Sequence, residues 1–160
     1  MSLFVDTSAF YAILVGTERE HTPVVTAFKR ALDRGVGLYT TNYVLVETTA
    51  LLQHRIGLAP VRDLEARLLP VLSIHWIDEE VHRRALERLF RMDRRHVSLV
   101  DAASFVVMER EGITDVLGLD ANFTAEGFRL IPYSRSSRGR RHQMRRKVAL
   151  GDPRRRAVSQ

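Results

Sequence analysis

A chain of 160 residues with 45% hydrophobic content is sized for one domain with a real buried core. Its 25 Lys and Arg outnumber its 19 Asp and Glu, and it has no cysteine, which excludes disulfide scaffolds, thiolate zinc sites, Fe–S clusters and cysteine nucleophiles and suits a reducing cytoplasm. No secretion signal opens the sequence and no apolar run nears the roughly 20 residues that span a bilayer, so a soluble, cytoplasmic protein without a membrane partner is expected.

Leu3 to Val5 read as a short buried strand, after which Thr7 or Ser8 is placed to cap a helix through Leu14 that Gly16 stops. A second helix begins near Pro23, a residue suited to a first helical turn. It sets Val24, Val25, Phe28, Ala31 and Leu32 on one side and ends at Gly35. Leu38 to Thr40 suit a strand. Asn42 is placed to cap a helix running to about Ile56, with Gly57 as its terminator, and a further helix starts near Pro60. Residues 71–77 have the β-branched and aromatic bias of a strand. Asp78 then caps a helix through Phe90, with Val81, Ala85, Leu86, Leu89 and Phe90 inward. Ser98 starts a helix that reaches Gly112, and Val116 to Leu119 and Phe128 to Ile131 are the last strands.

Short strands alternating with helices predict the α/β class, as a three-layer α/β/α sandwich around a short-stranded central parallel sheet. The domain is expected to span residues 1–132. Residues 133–160 form an Arg-rich tail with ten basic side chains and a single acid, Asp152, which leaves the body with 15 basic against 18 acidic residues, a formal charge of about −3. Such a composition predicts nonspecific, salt-sensitive binding to phosphates.

Four acids stand where a folded chain usually avoids them. Asp6 follows a strand and precedes a helix, which is an N-cap position, yet ligands of open α/β sheets bind outside the carboxyl ends of strands, where this acid sits. Asp120 holds the same place after a later strand, with an Asx-turn as its plainer account. Glu47 has Tyr43, Val44, Ala50 and Leu51 three and four positions away on its helix. A carboxylate on such a stripe has to be protonated, paired with an arginine or metal-bound, because uncompensated desolvation is costly. Asp101 lies three residues after Ser98 in a near capping box, and a helix N-terminus can hold a carboxylate rigidly while its outer oxygen faces a cation.

Oxygen ligands without thiols or a histidine cluster are what Mg²⁺ and Mn²⁺ select. Gathered in one hollow, the four acids would repel one another and take up protons unless a divalent ion compensates them. One or two such ions suit phosphodiester hydrolysis, with Glu47 or Asp101 orienting or deprotonating the attacking water.

Arg84, Arg88, Arg91 and Arg95 follow at helical spacing, a basic ridge on which an RNA backbone could lie. Pairs of Glu80 with Arg84 and Glu87 with Arg91 explain the same residues as a solvated face. The six histidines are scattered without H-E-x-x-H spacing, so no zinc site is expected, and no Gly-rich phosphate loop points to nucleotide triphosphates. Trp76 reads as core or interface rather than a stacking platform.

At the four acids the sequence resembles the PIN domain family, and within it the VapC-type toxin ribonucleases, over about residues 3–132. FVDTSAFYAIL matches the family's opening strand, acid and small hydroxyl residue; NYVLVETTALL its helix-borne glutamate; SLVDAASFVVMEREGI its third acid with a preceding Ser; and GLDANF its fourth. The resemblance implies a Mg²⁺- or Mn²⁺-dependent endoribonuclease with Asp6, Glu47, Asp101 and Asp120 as metal ligands. It also implies supporting hydrogen bonds from Thr7, Ser8 and Ser98. Its implied partners are an RNA substrate, a small antitoxin that blocks the cleft and a second copy in a homodimer. Gly118 stands where a Thr is common, and Asn122, beside the last acid, where many relatives carry a charged residue; both bear on fine positioning and substrate choice. Nothing in the family explains the Arg-rich tail. Two other readings stay open: a PIN-like module with weak or lost turnover that grips RNA through its basic tail, and a phosphatase forming an aspartyl-phosphate on Asp6, whose expected second Asp is here Ser8.

Overall fold

Five short strands, all parallel, make one sheet in the order β3-β2-β1-β4-β5, with β1 Ser2–Val5, β2 Gly37–Thr41, β3 Ser73–His75, β4 Asp115–Leu117 and β5 Arg129–Ile131. This computed structural model describes residues 1–132, and the expected Arg-rich tail at 133–160 lies outside the described residues. The helices are α1 Thr7–Leu14, α2 His21–Asp33, α3 Asn42–Arg55, α4 Ala59–Asp63, α5 Glu79–Met92, α6 Leu99–Arg110 and α7 Ala121–Ala125. They give the three-layer α/β/α arrangement that the alternation of elements predicted. None of the described helices is long and apolar enough to cross a membrane.

Central β1 reads LFV without polar alternation because helices cover both faces of a parallel sheet, and Phe4 and Val5 are fully buried. It pairs with β2 on one side, Leu3 opposite Leu38, and with β4 on the other, Val5 opposite Leu117. The chain therefore leaves β1 in one direction for β2 and β3, then returns to its other side for β4 and β5. That reversal opens a crevice at the carboxyl ends of β1 and β4.

Four phenylalanines set the position of the late helices against the sheet. Phe105 of α6 meets Phe123 of α7 edge to face at 5.1 Å between ring centroids and stacks on Phe128 at 5.7 Å, while Phe123 lies 6.4 Å from Phe4. Asp101 stands one turn before Phe105, and Asp120 three residues before Phe123. This aromatic knot thus fixes where both acids emerge.

Several local expectations change. Residues 71–77 form a strand only at Ser73–His75, because the helix from Ala59 continues through a π turn, Leu64–Leu68, and a 3₁₀ turn, Leu69–Val71. Trp76 is surface rather than core, 70% exposed. α2 starts at His21, two residues ahead of Pro23. Thr41, not Asn42, caps α3: its hydroxyl accepts from the Val44 N–H, while the Asn42 side chain accepts from the Ile77 N–H.

Phe90 does not point inward, since α5 packs on α6 through Ala85, Ala102 and Ala103. Five positions beyond Ala85, Phe90 is rotated about 140° from that stripe. The expected arginine ridge is also broken. Arg88 turns in, over the Phe105 ring at 5.2 Å and onto Glu109 and Glu126 at 2.7 and 2.8 Å. Arg95 lies beyond the end of α5, and Glu87 pairs with Arg83 instead of Arg91.

Phe123→Ala should cost about 3–5 kcal/mol, read as a lower urea midpoint with an unchanged m-value.

Candidate active site

The carboxyl ends of β1 and β4 deliver two of the four acids. Asp6 follows Val5 directly, and its N–H donates to the Leu117 carbonyl at 3.0 Å. Its Oδ2 accepts from the N–H and the hydroxyl of Ser8, at 3.1 and 2.6 Å, which makes Asp6, rather than Thr7 or Ser8, the N-cap of α1. The same Ser8 hydroxyl accepts from the Leu119 N–H at 2.9 Å, so one oxygen ties the two strand ends together. Gly118 lets this junction close: a Cβ there would stand 3.2 Å from the Asp6 Cβ and 3.3 Å from the Ser8 hydroxyl, so these neighbours would have to give by a few tenths of an ångström.

Asp120 caps α7 through the Asn122 N–H at 2.8 Å, and its other oxygen accepts from the Asn122 amide at 3.2 Å. That amide also donates to the His96 carbonyl at 3.1 Å. Glu47 projects from the second turn of α3, where its Oε2 accepts from the Thr7 hydroxyl at 2.5 Å. Its surroundings differ from the expected buried stripe, for Ala50 is exposed and Val46 is 69% exposed. Glu47 stands half-buried at a rim. Asp101 completes a reciprocal capping box: its Oδ2 accepts from the Ser98 N–H at 2.7 Å, and its own N–H donates to the Ser98 hydroxyl.

Each acid is thus held by one of the polar neighbours singled out in the sequence: Ser8 for Asp6, Thr7 for Glu47, Ser98 for Asp101, Asn122 for Asp120. Their electrostatics couple them. Burial pushes the Asp6 carboxyl up to about 6, the Ser8 hydrogen bonds oppose this, and the charge of Asp101 adds to it. Burial also raises Asp101 against its Ser98 bonds, and the charges of Asp120 and Glu47 raise it further. Among the described residues, no Lys, Arg or His side chain forms an ion pair with any of the four. Asp115, at the opposite end of β4, differs: Arg129 grips both its oxygens.

The donor chemistry fits a hard divalent cation. Asp6 Oδ1, Glu47 Oε1 and Asp101 Oδ1 accept no protein hydrogen bond among the described residues, and every candidate donor is an oxygen. Among the described residues, no three acidic or histidine side chains are drawn around one point closely enough to hold an ion.

Of the basic ridge, Arg88 is taken up by glutamates, while Arg84, Arg91 and Arg95 are exposed. The link from Asn122 to His96 had no signal in the sequence, because it joins residues 26 apart through a backbone carbonyl.

The chain matches the PIN domain family over residues 3–127. It is 35% identical over 127 residues to the 23S rRNA-specific endonuclease VapC20 of Mycobacterium tuberculosis, covering 79% of this chain and 95% of that protein. It is 33% identical over 112 residues to a VapC ribonuclease of Archaeoglobus fulgidus, covering 68% and 71%. The crystal structure of M. tuberculosis VapC20, described as a sarcin-ricin loop cleaving toxin, aligns with a TM-score of 0.69 over 79% of this chain and 96% of that one. FitAcB of Neisseria gonorrhoeae, at 15% identity and a TM-score of 0.60 over 80% and 95%, shares the fold.

Asp6 keeps its proton to about pH 6 in the folded chain but only to 3.8 as an unperturbed group. Its contribution to stability is therefore complete below 3.8 and lost as pH rises through 6, a loss of about 3 kcal/mol. In chelator, Asp6→Asn, which preserves the cap, should unfold at a higher temperature than the parent at neutral pH, with the difference vanishing in acid. Equal melting temperatures across that range would contradict the assignment.

Proposed function

Because the chain belongs to the PIN domain family and is a VapC-type ribonuclease, we propose that Asp6, Glu47, Asp101 and Asp120 hold one or two Mg²⁺ or Mn²⁺ ions and that RNA phosphodiester bonds are hydrolysed there. The observation that carries this reading is the coupled, uncompensated charge of four acids at the topological switch point of the sheet. A divalent ion supplies there the water activation and charge neutralisation that phosphodiester hydrolysis requires.

The chain's own residues supply position and proton acceptance. Ser8, Thr7, Ser98 and Asn122 each fix one carboxylate by a hydrogen bond, so little rotational freedom remains to be lost on binding. Glu47 Oε1 and Asp101 Oδ1 carry lone pairs without a protein donor and are the acceptors for a water proton.

The similarity to VapC20 makes ribosomal RNA the first substrate to test. The family resemblance adds a small antitoxin as partner and a homodimer as the working form, and the cysteine-free composition adds the cytoplasm as its place. The nuclease domain is assigned to residues 1–132, with 133–160 dispensable for chemistry. Deleting 133–160 should therefore leave cleavage in place; if it removed RNA affinity and the parent showed no turnover, a binding module would be the better account.

Incubated with total RNA, the parent should cleave in Mn²⁺ and not in chelator. Asp6→Asn, Glu47→Gln, Asp101→Asn and Asp120→Asn should each lose about a hundredfold or more, a barrier increase of about 2.7 kcal/mol. Mn²⁺ should raise the parent's melting temperature and leave that of Asp6→Asn nearly unmoved, since an ion at about 100 Kd stabilises by about 2.7 kcal/mol. Chelator-resistant cleavage would overturn the metal assignment.

A further inference from the structure

The end of α5 is built in a way that helical periodicity does not require. Asp93 takes a left-handed conformation, φ 46° and ψ 43°, where helix ends usually place glycine because a Cβ is penalised there. The reversal at Asp93 begins a loop, Arg94 to Val97, that is fastened at its far end to the candidate site. His96 accepts from the same Asn122 amide that holds Asp120, and Ser98, two residues later, holds Asp101.

Beside the loop lies a shallow cavity of about 330 Å³ lined by Leu89, Phe90, Asp93, Arg94, Arg95 and Val97. That is the small end of the range for ligand sites. Phe90 contributes a ring that is 73% exposed. Arg94 is pinned by Glu126 at 3.1 Å, which orients its guanidinium, whereas Arg95 is exposed and pairs with no carboxylate among the described residues. An apolar protein partner would call for a broad greasy patch; here one aromatic face is flanked by charge. Single-stranded RNA is bound by that combination, its bases stacked on aromatic or guanidinium planes and its phosphates on cations.

We infer that this cavity is a subsite for one unpaired nucleotide of the RNA, the base lying on Phe90 and a phosphate on Arg95, along the loop that Asn122 and Ser98 tie to the candidate site. The inference rests on the ribonuclease reading above and adds to it where the strand enters. It also changes the role of Arg95: instead of one member of a helical ridge, it belongs to a loop attached to the catalytic acids.

The test uses the full chain carrying Asp6→Asn, so that RNA binds without being cut, and two fluorescein-labelled probes of equal length: oligoadenylate and an abasic ribose-phosphate oligomer. Adding Phe90→Ala should weaken oligoadenylate binding by roughly five- to a hundredfold and leave the abasic oligomer unchanged, with Phe90→Trp restoring affinity. Arg95→Gln should weaken both probes and lower the slope of log affinity against log salt by about 0.7. The subsite is overturned if Phe90→Ala binds oligoadenylate as its parent does, or loses both probes equally. A fall in sedimentation mass for Phe90→Ala would overturn it too, by assigning the ring to a contact between copies. If the wild-type chain cuts RNA while Phe90→Ala proves indifferent, the subsite alone fails; if the wild-type chain neither cuts RNA nor binds either probe, the ribonuclease reading fails with it.

Discussion

Like charges confined to one crevice set the terms for the rest of this molecule. The charge of Asp101 raises the proton affinity of Asp6, and Asp101 in turn feels Asp120 and Glu47. Left to themselves, such side chains would rotate apart into water. They are kept in place by donors that belong to the same local turns: caps for Asp6, Asp101 and Asp120, and a hydroxyl from the neighbouring helix for Glu47. Capping and candidate ligand duty are thus one arrangement, because a cap occupies one carboxylate oxygen and, for Asp6 and Asp101, leaves the other free of protein donors.

Holding single acids is insufficient unless the elements that bear them are also held. The parallel register places the ends of β1 and β4 side by side, and the Ser8 hydroxyl bridges them. The phenylalanine knot does the same for α6 and α7, packing the turn after each acid against its neighbour. Core packing and site geometry are therefore linked here through very short stretches of chain, four residues for Asp101 and three for Asp120.

The sequence was most legible where a residue's fate is settled by its nearest neighbours. LFV announces a strand buried on both faces, Ser98 and Asp101 announce their box, and the four acids stand out because each interrupts an apolar context at the start of a helix or on one. It was least legible where a distant group decides. Thr41 and Asn42 are equally able to cap α3, and the Ile77 N–H, far along the chain, takes Asn42 away. Helical spacing put Arg88 on a ridge with Arg84 and Arg91, but Glu109 and Glu126 draw it into the body. Phe90 looked like a core residue by spacing alone, yet α5 meets α6 through alanines, and so narrow a contact leaves that ring outside.

Arg129 gives the two rims of the sheet opposite characters. The acid at the amino end of β4 has its counter-charge built in, whereas the acids at the carboxyl ends of β1 and β4 have none within the described chain. The carboxyl rim is thus left uncompensated among the described residues while the amino rim carries its own neutralisation, so added salt or a change of pH acts on the crevice more than on the opposite edge of the sheet.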